Sequence, residues 1–185
     1  VSINNDGVFI NDSKVILADI EADNGVVHVI DAVLTPPTTT VVDIVVNSED
    51  HNTLEAAVVA AGLVETLNGE GPFTVFAPTD DAFKALFDEL GVSGVGALTK
   101  DQLTPILLYH VVNGKVMAKN VKTGMVPTLN DKASLDVNVS DKGVMINGST
   151  KVIITDVVTS NGVIHVIDKV MVPKTKTASK SSGGC

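Results

Sequence analysis

One twelve-residue stretch occurs twice in this chain, and any fold must give both copies a place. Near the end it reads Gly162-Val-Ile-His-Val-Ile-Asp168-Lys-Val-Met-Val-Pro173. Near the start it reads Gly25-Val-Val-His-Val-Ile-Asp31-Ala-Val-Leu-Thr-Pro36, identical at eight of twelve positions. His28 maps to His165 and Asp31 to Asp168, an offset of 137. Upstream, Asp6-Gly-Val-Phe-Ile-Asn11 recurs as Lys142-Gly-Val-Met-Ile-Asn147 at an offset of 136, which puts one inserted residue in the turn after Asn147. A repeat spaced this widely means tandem domains, not a short-period solenoid. The second copy is expected to close a complete unit. The first is expected to be the tail of a unit whose beginning is missing.

The remaining sequence sorts into segments around these copies. Residues 1–34 alternate apolar and polar positions, with Asp6-Gly7 and Asn24-Gly25 as hairpin turn pairs, so they read as a β-meander. Residues 35–40, with Pro36 and Pro37, form an extended linker. From Val41 the apolar period lengthens towards 3.6, and Thr40 suits a helix cap. Asp50 or Asn52 is expected to cap a second helix, whose inner face is Leu54, Ala57, Val58 and Ala61 and whose stop is Gly62. Phe73–Ala77 is a short buried strand. Thr79 then caps a helix opened by Asp80 and Asp81, with Phe83, Leu86, Phe87 and Leu90 inward. Thr99 and Gln102 have capping-box spacing, but Pro105 sits far inside such a helix, which favours a later start at Thr104. Residues 115–173 are mostly strand, and 174–185 form a polar tail expected to be disordered.

Composition narrows the function. The net charge is −9, and the cations are thirteen lysines without arginine. An acidic surface repels nucleic acid, and phosphate readout favours arginine forks, so nucleic-acid binding is excluded. The chain has no apolar run long enough to span a membrane. It opens on Val1 rather than Met, which reads as a processed or shortened chain. Cys185 is the single cysteine, so disulfide frameworks and cysteine metal sites are excluded, and a terminal Gly-Gly-Cys reads as a conjugation handle.

Three stretches, taken in order, resemble the fasciclin-type extracellular domain: Phe73-Thr-Val-Phe-Ala-Pro-Thr-Asp-Asp-Ala-Phe83, Leu107-Leu-Tyr-His-Val-Val112 and Asn161-Gly-Val-Ile-His-Val-Ile-Asp168. The resemblance spans residues 41–173 as one whole domain and residues 1–34 as the closing third of a preceding one. It implies an α+β fold, with helices packed on a wedge of two β-sheets. It also implies secretion or surface display, tandem arrays, and adhesion or matrix organisation without catalysis or cofactor. Partners would be a cell-surface or matrix protein or a glycan. An alternative use in some relatives is binding small apolar ligands, pigments or lipids; that needs a groove between helices and sheet, with Met117 or Met125 in its lining.

The candidate site residues carry bland readings beside the functional ones. Tyr109 and His110 form the Tyr-His pair that the resemblance links to partner binding. The bland reading has the His110 ring bonding backbone at a helix exit and Tyr109 filling core with its hydroxyl outward. Thr79, Asp80, His165 and Asp168 read as structural family-motif residues. His165 and Asp168 lie three apart on a strand, hence on opposite faces, which disfavours a catalytic pair. Asp80 and Asp81 suit a helix dipole better than acid–base work. Asn11, Asn138 and Asn147 each head an Asn-x-Ser sequon, so they are possible glycosylation sites, although Asn11 and Asn147 also suit turns. Residues 1–34 retain an apolar face, are expected to be ordered, and could pack on the following domain or pair with the sheet of another copy.

Overall fold

A computed structural model describes residues 1–11, 13–141 and 143–173, so the expected tail and Cys185 lie outside the described residues. The chain divides into two compact units, Val1–Pro37 and a second from Thr38 onward.

The first unit is a meander of β1 (Ser2–Asn4), β2 (Gly7–Ile10), β3 (Ser13–Ala22) and β4 (Gly25–Ile30), neighbours in that order. Its tight turns are Asn5-Asp6 and Asp23-Asn24, one residue earlier than the sequence pairs suggest. Asn4 faces Gly7 and Ala22 faces Gly25 across the ladders. Only Gly7 of the two glycines takes positive φ, at 132°. The β3–β4 register shifts between Leu17 and Ile20, where Asp19 adopts φ 57°.

The first half of the second unit is mostly helical, with α1 (Val41–Val46), α2 (Asn52–Ala61), α3 (Val64–Leu67), α4 (Asp80–Leu90) and α5 (Lys100–Tyr109). Thr40 caps α1 in a capping box with Asp43. The N-cap of α2 is His51, without a side-chain bond, and neither Asp50 nor Asn52 does that work. The cap comes from elsewhere: Asp80 at the start of α4 accepts the Thr53 N–H at 2.7 Å. Thr79 caps α4 itself through the Ala82 N–H, and Phe83 and Leu86 are buried beneath the helix. Leu90 is half exposed, not inward, because it sits on the last turn. Helix α5 starts at Thr99, not Thr104, since Gln102 Oε1 accepts the Thr99 N–H at 2.9 Å. Pro105 stays inside the helix; the carbonyl it leaves without a donor belongs to exposed Asp101, where water can serve it.

Seven strands complete the unit: β5 (Phe73–Pro78), β6 (Val111–Asn113), β7 (Gly124–Pro127), β8 (Ser134–Ser140), β9 (Gly143–Ile146), β10 (Thr150–Val158) and β11 (Gly162–Ile167). Their order is β6-β5-β11-β10-β9-β8-β7. Thr150 and Lys151 of β10 pair with β9 while Val152 onward pairs with β11, so two leaves share one strand. The ladder curls until β7 lies beside β6, and the Leu129 N–H donates to the Val111 carbonyl at 2.7 Å there. One face of the β5–β11 leaf carries Val75, Ala77 and Ile164 against the helices. The other carries Phe76 and Ile167 into a second core with Leu135, Val137 and Ile146, inside the curl.

The central pairing is parallel, Gly162 to Ile167 against Phe73 to Pro78. Every residue of β11 is buried, as a strand covered on both faces requires. Its equivalent β4 has only β3 as a neighbour. Val26 and Val27 are 56% and 52% exposed, where Val163 and Ile164 are 0% and 2%. Glycine records the same contrast. A Cβ on Gly162 would collide with the Phe73 carbonyl, whereas a Cβ on Gly25 meets nothing. Gly162→Ala is therefore expected to destabilise the second unit by about 2 kcal/mol or more, and Gly25→Ala to change stability by less than about 0.5 kcal/mol. Urea unfolding followed by circular dichroism measures both, and equal effects would contradict the assigned pairing.

Candidate functional site

The repeated His and Asp do mechanical work on the backbone. In the second unit the Asp156 N–H donates to His165 Nδ1 at 3.3 Å, which leaves the ring proton on Nε2, donating to the Val116 carbonyl at 2.9 Å. Asp156 adopts φ 62°, and the β10–β11 register shifts between Ile154 and Val157. The first unit repeats the device, with the Asp19 N–H donating to His28 Nδ1 at 3.1 Å and Asp19 at φ 57°. Each histidine thus holds a residue with a left-handed backbone in an otherwise extended strand. Asp168 lies just past β11 and accepts the Lys151 N–H at 2.7 Å, as Asp31 accepts that of Lys14 at 2.7 Å. His165 and Asp168 serve different backbone groups and form no pair.

The Tyr-His pair sits inside. Tyr109 is 5% and His110 2% exposed, so neither offers a partner more than a sliver of surface. The Tyr109 hydroxyl is not outward as expected; it donates to the Ser134 carbonyl at 3.0 Å and accepts from Asn147 Nδ2 at 3.1 Å. A phenol buried this deeply needs partners, and the loop around Ser134 supplies one. His110 bonds backbone at both nitrogens: Nδ1–H donates to the Ile106 carbonyl at 2.8 Å and Nε2 accepts the Met171 N–H at 2.9 Å. Burial pushes its pKa down to about 4, against a smaller upward pull from the Ile106 carbonyl. For Asp80, burial pushes the carboxyl up, but hydrogen bonds from Thr53 and Asn52 outweigh it and hold the pKa below the usual carboxylate value.

Asn161 is the residue that sequence reasoning passed over, giving it no role of its own within the third family-like stretch. Its Oδ1 accepts the Val41 N–H at 2.9 Å, its Nδ2 donates to Leu67 O at 2.8 Å, and its carbonyl accepts the Phe73 N–H at 2.9 Å. One residue therefore ties the start of α1, the end of α3 and the start of β5 to the start of β11. The one available signal was its place before the repeated glycine, shared with Asn24.

Two cavities flank these residues. The smaller, about 130 Å³, lies between α1, α2 and the sheet, with Val58 and Leu107 in its lining. The larger, about 300 Å³, lies inside the curled sheet, walled by Phe76, Val112, Val137, Val144 and Val152. Residues 116–126 form its rim, including Met125 but not Met117. The histidine clamp holds that rim, because Val116 is bound by His165 Nε2 and Ala118 donates its N–H to Asp156 Oδ1 at 2.7 Å. Thr74 adds two bonds, to the Gly114 carbonyl at 2.6 Å and from the Val116 N–H at 2.9 Å.

The Fasciclin domain family model matches residues 1–36 and 49–173. The chain belongs to the fasciclin family. Protein sll1483 of Synechocystis is 51% identical over 134 residues, covering 72% of this chain and 73% of that protein. Human periostin is 33% identical over 90% of this chain, which spans 20% of periostin's length. A domain pair from the insect cell adhesion molecule fasciclin I superposes with a TM-score of 0.63 at 25% identity, covering 86% of this chain and 60% of that one. The α+β fasciclin fold expected from the sequence is the fold observed. Among the described residues, no helix is long and apolar enough to cross a membrane.

Of the sequon residues in this fasciclin chain, Asn138 is exposed on β8, and the Asn147 amide is occupied, with Oδ1 accepting the Asp136 N–H at 3.0 Å and Nδ2 donating to Tyr109. Asn11 and Asn147 share a left-handed turn conformation, at φ 54° and 52°.

The buried, neutral His110 makes stability depend on pH. Its folded pKa lies below the unfolded value near 6.5, so the unfolded chain takes up the proton first and stability falls as pH drops from about 6.5 to 4. The full loss is on the order of 3 kcal/mol. His51 acts in the same direction, since burial lowers its pKa against the pull of Asp50 and Asp80. His110→Gln should cost about 2 kcal/mol at pH 7 and flatten this slope. Urea midpoints at pH 7, 5.5 and 4.5 test it, and parallel slopes in the two proteins would refute it.

Proposed function

We propose that this chain is a non-enzymatic module of cell adhesion or matrix organisation, secreted or displayed at the cell surface, and one link of a tandem array. Family membership carries the reading, with an insect cell adhesion molecule among the similar structures. The geometry supports it too, because His165 and His110 spend both ring nitrogens on backbone. Contacts that are weak singly gain strength when domains repeat along one chain. The partner is a cell-surface or matrix protein or a glycan. Tyr109 and His110 contribute to its binding indirectly, by holding the Ser134 loop and the exit at Met171. Tandem fusions of one, two and four copies, passed over immobilised matrix proteins and glycans, test the mechanism. Retention should rise by a factor of about 100 or more from one copy to four; retention proportional to copy number would end the multivalent reading.

Residues 1–34 add a self-association surface. Edge strand β4 carries exposed Val26, Val27 and Val29, and lacks the lysine or proline that guards such edges. Light scattering of the whole chain and of one starting at residue 35 should give a larger assembly only for the former. Monomer masses for both would refute this part.

A second reading, a binder of small apolar molecules such as pigments or lipids, is favoured by the larger cavity. It lies inside the curled sheet and not in the groove between helices and sheet that the sequence suggested. Its volume of about 300 Å³ falls at the small end of ligand pockets.

A further inference from the structure

The larger cavity has a polar asymmetry that selects among apolar ligands. Its inner wall offers an occupant almost no hydrogen bonding. Thr74, Thr155 and His165 face it, but the polar atoms of Thr74 and His165 are already bonded to Gly114, Val116 and Asp156, which leaves the Thr155 hydroxyl. The rim is different. Among the described residues, Lys122 is the only one around the cavity with a permanently charged side chain, it is exposed, and it has no ion-pair partner. Exposed Met125 provides an apolar lip beside it.

Charge along the chain sharpens the contrast. In a protein of net charge −9, residues 102–130 contain no Asp or Glu, yet they carry Lys115, Lys119 and Lys122. All three lysines are exposed, on or beside the rim segment that the histidine clamp fixes. The basic stretch thus coincides with the mouth of the apolar cavity. Lysine at such a mouth recognises one anionic head as a point charge and does not need the two-pronged geometry of arginine.

We infer that the cavity inside the curled sheet takes an anionic amphiphile, a monocarboxylate with its hydrocarbon chain against the valine wall and its carboxylate at Lys122. The inference rests on the second functional reading, that the cavity holds a ligand. The volume of about 300 Å³ holds about ten water-sized groups at roughly 30 Å³ each, which fits a chain of about ten carbons. Rim polarity chooses the head and wall apolarity chooses the tail.

The test uses the whole chain at neutral pH, with decanoate and decanol as probes, followed by calorimetry and methyl NMR. Decanoate should bind with one-to-one stoichiometry, shift the Val137 and Val144 methyl signals, and bind about tenfold more tightly than decanol. Lys122→Gln, an exposed substitution that leaves the core intact, should remove that preference and leave decanol affinity unchanged. Equal affinity for both probes, unaltered by Lys122→Gln, would overturn the inference while the apolar-ligand reading stands. Valine signals unmoved by either probe would overturn both. Decanoate that is displaced by a sulfated oligosaccharide and leaves the valine signals unmoved would identify a surface polyanion site instead, and the inference fails.

Discussion

Everything in the second unit hangs on the parallel pairing of β5 with β11. It joins the strand that precedes α4 to the last strand of the chain's second unit, and so locks the helical half onto the sheet half. Three neighbouring residues of one motif enforce it by different means. Asn161 gathers α1 and α3 through its side-chain amide and β5 through its backbone carbonyl, Gly162 lets the backbones approach, and His165 fixes both the kinked strand behind and the rim in front. A parallel strand buried on both faces must be apolar throughout. The lone polar ring within it is accommodated because backbone groups satisfy both of its nitrogens.

The chain also contains its own comparison. The first unit has the same His, Asp and Gly at equivalent positions, and the same left-handed aspartate, but among the described residues no strand equivalent to β5 lies beside β4. The kink and its histidine are therefore local properties of the two-strand ladder, independent of what covers it. Burial is not local. Equivalent valines move from interior to surface when the parallel neighbour is lacking.

Features that depend on near neighbours were legible in the sequence: the strand and helix periods, the caps at Thr40 and Thr79, and the stop at Gly62. The two-copy arrangement was legible because a repeat survives as letters. What escaped depends on residues far apart. Asp80 capping a helix that lies before it, the Tyr109 hydroxyl finding Ser134, and Asn161 reaching Val41 all leave no local pattern. Pro105 misled for a related reason: a helix loses a bond to proline, but water meets an exposed carbonyl at little cost. The cavity was the least legible, since a volume is set by how far a sheet curls and not by any residue's identity.

The position of β11 has a consequence for how such a chain is made. Synthesis runs from the first residue to the last, and an interior strand of the sheet is the last of the described strands to appear. Helices and β5 emerge with their apolar faces bare and cannot be covered until residue 167 has left the ribosome. Contacts of such long sequence separation form slowly and leave intermediates exposed. A chain that stopped before Gly162 would thus lack an interior strand of the sheet, not an edge, and the nascent domain would have nothing to close upon.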